Sequence, residues 1–265
     1  MPVTPDRRIL CGMARESHPM LEARLGAKPW RFLGAATTSP ILQVAPKYSR
    51  DQDPRPSCAG NATAGAFDQL FPELPRASAV GIWREARRRM GLDLDDLEQG
   101  TQWWGVFAGL TERGWDDWRR KEDADPVEGG QGAPPAGDTI GDELLAADRK
   151  DLLKYRALSE LDEIDDALAF GAGVVASFGV RDPFFDLEVN EVATTAHLGG
   201  ERNGHAMRLF GRVVAEGRRV YLVANSWGRG WGGCTAEGLA LDGCCLVDSS
   251  AIERAWHVWA LARKS

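Results

Sequence analysis

Histidine and tyrosine are scarce in this chain, and positive charge is in deficit. Its 265 residues include four His, three Tyr and five Cys, and 32 Lys+Arg face 39 Asp+Glu for a net charge of −7. That balance excludes a nucleic-acid surface as the main business of the protein. No run approaches the ~20 apolar residues of a membrane span, so no membrane partner is expected. Met1 to Lys28 is broken by Arg7, Arg8, Arg15, Glu16, Glu22 and Arg24. It lacks the apolar stretch of ~7–15 residues that a secretory signal needs, and a soluble, cytoplasmic protein is expected. Cys234, Cys244 and Cys245 contain no C-x-x-C pair, and His257 is the only imidazole near them in sequence. That spacing does not suit a zinc site, so no metal and no cofactor is expected. A chain of this length buries a core without disulfides, and Cys11, Cys234, Cys244 and Cys245 read as reduced, mostly buried thiols.

What is present is ordinary globular composition, 43% hydrophobic and 27% charged, arranged as helices first and strands later. Residues 1–51 form an arm with few signals apart from a short strand at Ile41-Leu42-Gln43-Val44, bounded by Pro40 and Pro46. Residues 52–120 read as a helical half. Ser57 is placed to cap a helix starting at Cys58, with Ala59, Ala62, Ala66 and Leu70 at helical spacing and Pro72 and Pro75 beyond its end. A second helix is expected over 79–90, with Val80, Trp83 and Met90 inward and Arg84, Arg87, Arg88 and Arg89 on a solvated face. A third is expected over 101–112, capped by Thr101. Trp103, Trp104, Trp115 and Trp118 read as core. Residues 121–142 lose all periodicity and are rich in Gly, Pro and Asp, as an inserted loop is. Residues 143–265 read as a β half. A capping-box-like Ser159-Glu160-Leu161-Asp162 opens a helix ended by Gly171, and strands follow near 174–180, 205–210, 219–224 and 255–261.

Four residues carry the chemistry. A thiol nucleophile needs a base, a side chain to orient that base, and a donor for the oxyanion. Cys58 sits at a helix start, where backbone N–H groups and the helix dipole favour thiolate. His205 stands in Gly204-His205-Ala206 before an apolar strand, whereas His18 lies in the arm, His197 in a loop, and His257 alternates within an apolar strand as a core residue. Asn225 opens Asn225-Ser226-Trp227-Gly228-Arg229-Gly230-Trp231-Gly232, whose paired Trp-Gly steps exceed what a turn requires. Gln52 precedes Cys58 by six positions.

The order Gln, Cys, His, Asn, with the Asn opening N-S-W-G-x-x-W-G, resembles the papain family of cysteine peptidases over roughly residues 40–262. His205 and Asn225 follow Cys58 by roughly 150 and 170 residues, near and somewhat above the ~130–150 of papain-like enzymes, and the 121–142 insertion accounts for the excess. The surroundings of Cys58, Arg55-Pro56-Ser57-Cys58-Ala59-Gly60-Asn61-Ala62, depart from papain's C-G-S-C-W and look more like bacterial and phage-borne relatives. The absent upstream cysteine fits a reducing compartment.

The resemblance implies a single α+β domain over 1–265, with a helical half and an antiparallel β half flanking an active-site cleft. It implies Cys58 as nucleophile, His205 as its base and proton donor, Asn225 as the orienting residue, Gln52 as oxyanion donor and Trp227 as a shield over the His–Asn hydrogen bond. Peptide or protein would be the substrate. A second class of function stays open: a papain-like structural component of a larger assembly such as a virion, with conditional or no proteolysis. An acyl transferase or isopeptidase using the same triad stays open as well.

Overall fold

Alanine and glycine dominate the first long helix, and small residues let other elements come close. In the computed structural model of the protein, residues 40–43, 46, 50–52, 55–74, 76–94, 99–115, 153–236 and 238–264 are described. Strand β1 spans Ile41–Leu42, and helix α1 spans Cys58–Leu70. Helix α2 follows over Ala79–Met90 and α3 over Trp103–Glu112. Ala59, Ala64 and Ala66 of α1 are fully buried. Gly60 explains how closely α1 and α2 pack: a Cβ there would lie 2.2 Å from the Ala79 carbonyl oxygen.

The second half is mainly sheet. Its elements in order are β2 (Leu153–Leu158), α4 (Leu161–Ala169), β3 (Gly173–Gly179), the short α5 (Asp182–Phe185), β4 (Val192–Ala193), β5 (Gly204–Ala215) and β6 (Arg218–Ala224). The hairpin strands β7 (Cys234–Ala236) and β8 (Leu239–Leu241) follow, then β9 (Cys244–Asp248), α6 (Ser249–Ile252) and β10 (His257–Arg263). The large sheet runs β2-β10-β3-β5-β6-β9-β4, with β1 also on β5; among the described strands β4–β9 is the parallel pair and the others are antiparallel. A bulge between Leu209 and Gly211 lets the long β5 leave β3 and pair with β1 at Gly211 and Arg212.

Alternation along the strands divides most of the core into two clusters, beside a smaller third one around Phe210, Leu222, Cys234 and Cys244. Val175, Ala206, Trp259 and Leu261 join the cluster of the helical half, with Cys58, Phe67, Trp103 and Phe107. Their neighbours Val174, Ala176, Phe178, Met207, Leu209, Val258 and Ala260 face the other cluster, with Ile164, Leu168 and Trp227. The sheet is thus buried on both faces, with α1 lying across β5.

Several expectations need correction. Ser57 precedes α1 but makes no capping hydrogen bond; its Oγ accepts from Asn61 Nδ2 at 3.0 Å. Thr101 does not cap α3, which starts two residues later behind Gln102. The acid that returns to Ser159 is Glu163, accepting from Ser159 N at 3.0 Å, while Asp162 pairs with Arg219. Arg87 is not solvated. It is fully buried, packs over Trp83 and donates to the Asp93 and Gln99 carbonyls. Arg88, Arg89 and Arg113 converge on the buried Glu85. Burial pushes the Glu85 carboxyl up, but the hydrogen bonds from Arg113 and Arg89 outweigh it and hold it below the usual range. Strands β2, β4, β7, β8 and β9 have no counterpart in the sequence reading. The 121–142 insertion, the arm up to residue 39, Val44 and Trp118 lie outside the described residues.

Candidate active site

The two halves are joined where the segment 50–52 runs beside 226–228. Gln52 N donates to Ser226 O at 2.9 Å, and Gly228 N donates to Arg50 O at 2.9 Å. Gly228 sits at φ 75, which glycine adopts without strain. A Cβ there would also meet Asp51 Oδ2 at 2.9 Å. The Trp-Gly step therefore turns the chain while leaving room for the other half.

His205 is the second residue of β5 and is completely buried. Its Nε2 lies 2.6 Å from Asn225 Oδ1. The Ser226 backbone N–H donates to the same Oδ1 at 2.7 Å, which identifies that atom as the amide oxygen. Nε2 must then carry the proton, leaving a lone pair on Nδ1 of the neutral ring. Nδ1, the nitrogen that a thiol partner would use, is buried and makes no hydrogen bond. Burial pushes the His205 imidazole down to about 4, against the smaller upward pull of Asn225.

Trp227 covers this pair. Its ring centroid is 4.6 Å from that of His205, and it stacks on Phe185 at 5.2 Å with an interplanar angle of 12°. Phe184 and Trp231 complete the apolar wall. Water excluded there cannot compete for the His205–Asn225 hydrogen bond.

Gln52 is 3% exposed. Its Oε1 accepts from Ser226 Oγ at 2.5 Å and its Nε2 donates to Arg55 O at 3.0 Å. Ser226 and the Phe184-Phe185 pair did not stand out in the sequence. Ser226 lay inside the motif without an assigned role, and nothing ties the phenylalanines to Trp227 except the fold.

Cys58 is the first residue of α1 and shares a packed cluster with Ala206, the neighbour of His205. It is fully buried. Cys234, Cys244 and Cys245 are likewise buried and in no disulfide. Burial pushes Cys234 up to about 11, and it pushes Cys244 and Cys245 upward as well. Among the described residues no group of three or more His, Cys, Asp or Glu is placed to hold a metal ion, and no helix is long and apolar enough to cross a membrane. His257 is a core residue with its Nδ1 3.1 Å from Ser177 Oγ.

No model of a known protein family matches the chain, and no curated protein sequence matches it. Solved structures do. Xylellain, a cysteine protease from Xylella fastidiosa, superposes with a TM-score of 0.64 at 20% identity, covering 100% of this chain and 95% of that one. The proCathepsin B S9 of Trypanosoma congolense gives 0.64 at 15% identity over 97% of this chain and 88% of its own. Digestive procathepsin L 3 of Tenebrio molitor larval midgut gives 0.61 at 16%, over 92% and 78%. The protein therefore has the α+β fold of the papain-like cysteine proteases, with a helical half packed against a largely antiparallel sheet.

Proposed function

We propose that the protein is a cysteine peptidase in which Cys58 attacks, His205 transfers the proton, Asn225 orients the imidazole and Gln52 stabilises the oxyanion. The observation that carries this reading is the buried imidazole whose Nε2 is bound to Asn225 Oδ1 at 2.6 Å while Nδ1 is left open. A structural histidine would have both ring nitrogens satisfied or exposed. The thiol gives its proton to Nδ1, and the thiolate adds to the peptide carbonyl carbon. The oxyanion is held by the Cys58 N–H at the start of α1 and by the Gln52 side-chain amide. As the tetrahedral adduct collapses, the imidazolium protonates the leaving amine and an acyl-thioester remains. Water, deprotonated by the same Nδ1, then releases the acid and restores the thiol. Ser226 holds Gln52 from the acceptor side, so its Nε2 side faces the developing charge.

Complete burial of Cys58 favours a second reading, a papain-like component of a larger assembly whose proteolysis is conditional or absent. A substrate reaches the sulfur only once Cys58 is uncovered. Incubation with a casein-type substrate, with and without a thiol-reactive epoxide, separates the two. The peptidase reading expects cleavage that the epoxide stops and that Cys58→Ser lacks. Intact casein, together with no epoxide adduct on Cys58, would give the assembly reading preference.

A further inference from the structure

Asn61, Gly65 and Asp68 follow one another at helical spacing, so they share one face of α1. That face meets β5 and the end of β6 across a cavity of about 330 Å3, at the lower end of the size range of small-molecule sites. Ala206, Ala224 and Asn225 line it from the sheet side. Arg50 reaches in over the helix: a Cβ built on Gly65 would be 3.9 Å from Arg50 Nε.

Three side chains on these walls each hold a buried polar atom that makes no hydrogen bond within the protein: Arg50 Nη1, Asn61 Oδ1 and Asn225 Nδ2. Arg50 is 6% exposed, Asn61 3% and Asn225 5%, so all three are buried far beyond the reach of bulk water. What the rest of each side chain does fixes the character of its open atom. Asn61 donates through Nδ2 to Ser57 O at 3.1 Å and to Ser57 Oγ at 3.0 Å, which leaves its amide oxygen as an acceptor. Asn225 accepts from the Ser226 N–H through Oδ1, which leaves its NH2 as a donor. Arg50 donates through Nη2 to Asp68 Oδ2 at 2.6 Å, so its charge is already met. Nη1 therefore lacks an acceptor oxygen and not a countercharge. Buried groups left unpaired carry a cost that a matching occupant removes.

We propose that this cavity binds a neutral carboxamide carried on a short aliphatic chain. An amide oxygen has two lone pairs, one for Arg50 Nη1 and one for Asn225 Nδ2, and the amide NH2 donates to Asn61 Oδ1. A carboxylate brings no proton for Asn61 Oδ1, and neither does a tertiary amide. The aliphatic chain packs on the apolar part of the lining, Ala62, Pro72, Leu74 and Ala206. The occupant ties α1 to the NH2 of Asn225, whereas His205 uses the Oδ1 of the same side chain, and it takes no part in peptide chemistry.

NMR titration of the full chain with propionamide tests this, read on the side-chain NH2 resonances, with propionate and N,N-dimethylpropionamide as comparisons. Saturable shifts are expected with propionamide, and a Kd at least about fivefold weaker with the other two, as the loss of one hydrogen bond implies. A blocked glutamine peptide carries the same amide: tighter binding of the peptide identifies a protein side chain as the source, and tighter binding of propionamide a free small molecule. Asn61→Leu, which removes the acceptor and keeps the size, should raise the propionamide Kd about fivefold. Ala62→Leu, which fills the cavity and touches no polar group, should raise it at least as much, and circular dichroism verifies that each variant is folded. A cavity that holds water alone gives shifts that rise linearly and never saturate. That result, or propionate binding as tightly as propionamide, or an unchanged Kd in the folded variants, would overturn the proposal. Each of them leaves the peptidase reading where it stands, because no bond is cleaved in the assay.

Discussion

At the residue scale the decisive group is His205, whose charge depends on what faces it. Burial alone holds the ring neutral, with its pKa pushed down to about 4. A thiolate at Cys58 would reverse this by favouring the imidazolium, and the pair would titrate as a unit. Removing the thiol by Cys58→Ala is therefore expected to leave a His205 that titrates near 4 by NMR, below its apparent value in the native protein. The sign of the stability effect follows. Between the usual histidine value of about 6.5 and the folded value of about 4, the unfolded chain binds a proton that the folded chain refuses. Stability is thus retained at neutral pH and lost as pH falls through that window, by about 3 kcal/mol in all. Urea midpoints of Cys58→Ala at pH 7 and pH 4 check this loss, which the double variant Cys58→Ala, His205→Phe should lack. The thiols give an independent test. Cys234 is pushed up to about 11 by burial, and Cys244 and Cys245 also lie above their ordinary value. A mild electrophile at pH ~6 should label Cys58 first by intact-mass spectrometry, since a protonated thiol is nearly inert. His205→Ala should erase that preference. Uniform or absent labelling of the native chain would point to a closed structural component.

At the element scale, the site depends on how α1 is held. Gly60 is the third residue of α1, with the Ala79 carbonyl oxygen 2.2 Å from where a Cβ would be. The obstacle is backbone, so α1 and α2 must separate to admit a methyl group. Gly60→Ala is expected to cost about 3 kcal/mol, the upper part of the usual overpacking range. A urea midpoint within error of the native value would show that the two helices slide freely. The same helix was legible in sequence because alanines at helical spacing and the following prolines mark its face and its end. Its cap was not legible. Ser57 has the right residue type, but its hydroxyl is engaged by Asn61 Nδ2 one turn away. Arg87 misled for a related reason. A charge on a basic helix face looks solvated until the backbone carbonyls of Asp93 and Gln99 are brought to it.

At the scale of the whole molecule, the described elements form two large packed clusters on the two faces of one large sheet and a smaller third one around Phe210, Leu222, Cys234 and Cys244. The insertion at 121–142 falls between α3 and β2, at the junction of the halves. Replacing it by a short Gly-Ser link is expected to leave a soluble protein with unchanged near-ultraviolet circular dichroism, because each doubling of loop length changes closure entropy by only ~0.6 kcal/mol. A variant recovered only as aggregate would assign that segment a packing or assembly role.

The sequence by itself determined the residue types of the proposed site and their order along the chain: Gln52, Cys58, His205 and Asn225, with Trp227 beside the last. It did so because N-S-W-G-x-x-W-G and the six-residue step from Gln52 to Cys58 are local patterns, readable without knowing what lies across the cleft. Alternating strands and the alanine helix were local in the same way. Only the tertiary structure decided what depends on distant contacts. It set the tautomer of His205 through Asn225 and Ser226, placed Phe184 and Phe185 against Trp227, buried Cys58, and brought Arg50, Arg76 and Arg208 to one cavity with Asp68. Those facts rest on pairings such as Arg50 with Asp68 and Arg208 with Gln69, the latter 139 positions apart in the chain, and no local pattern encodes them.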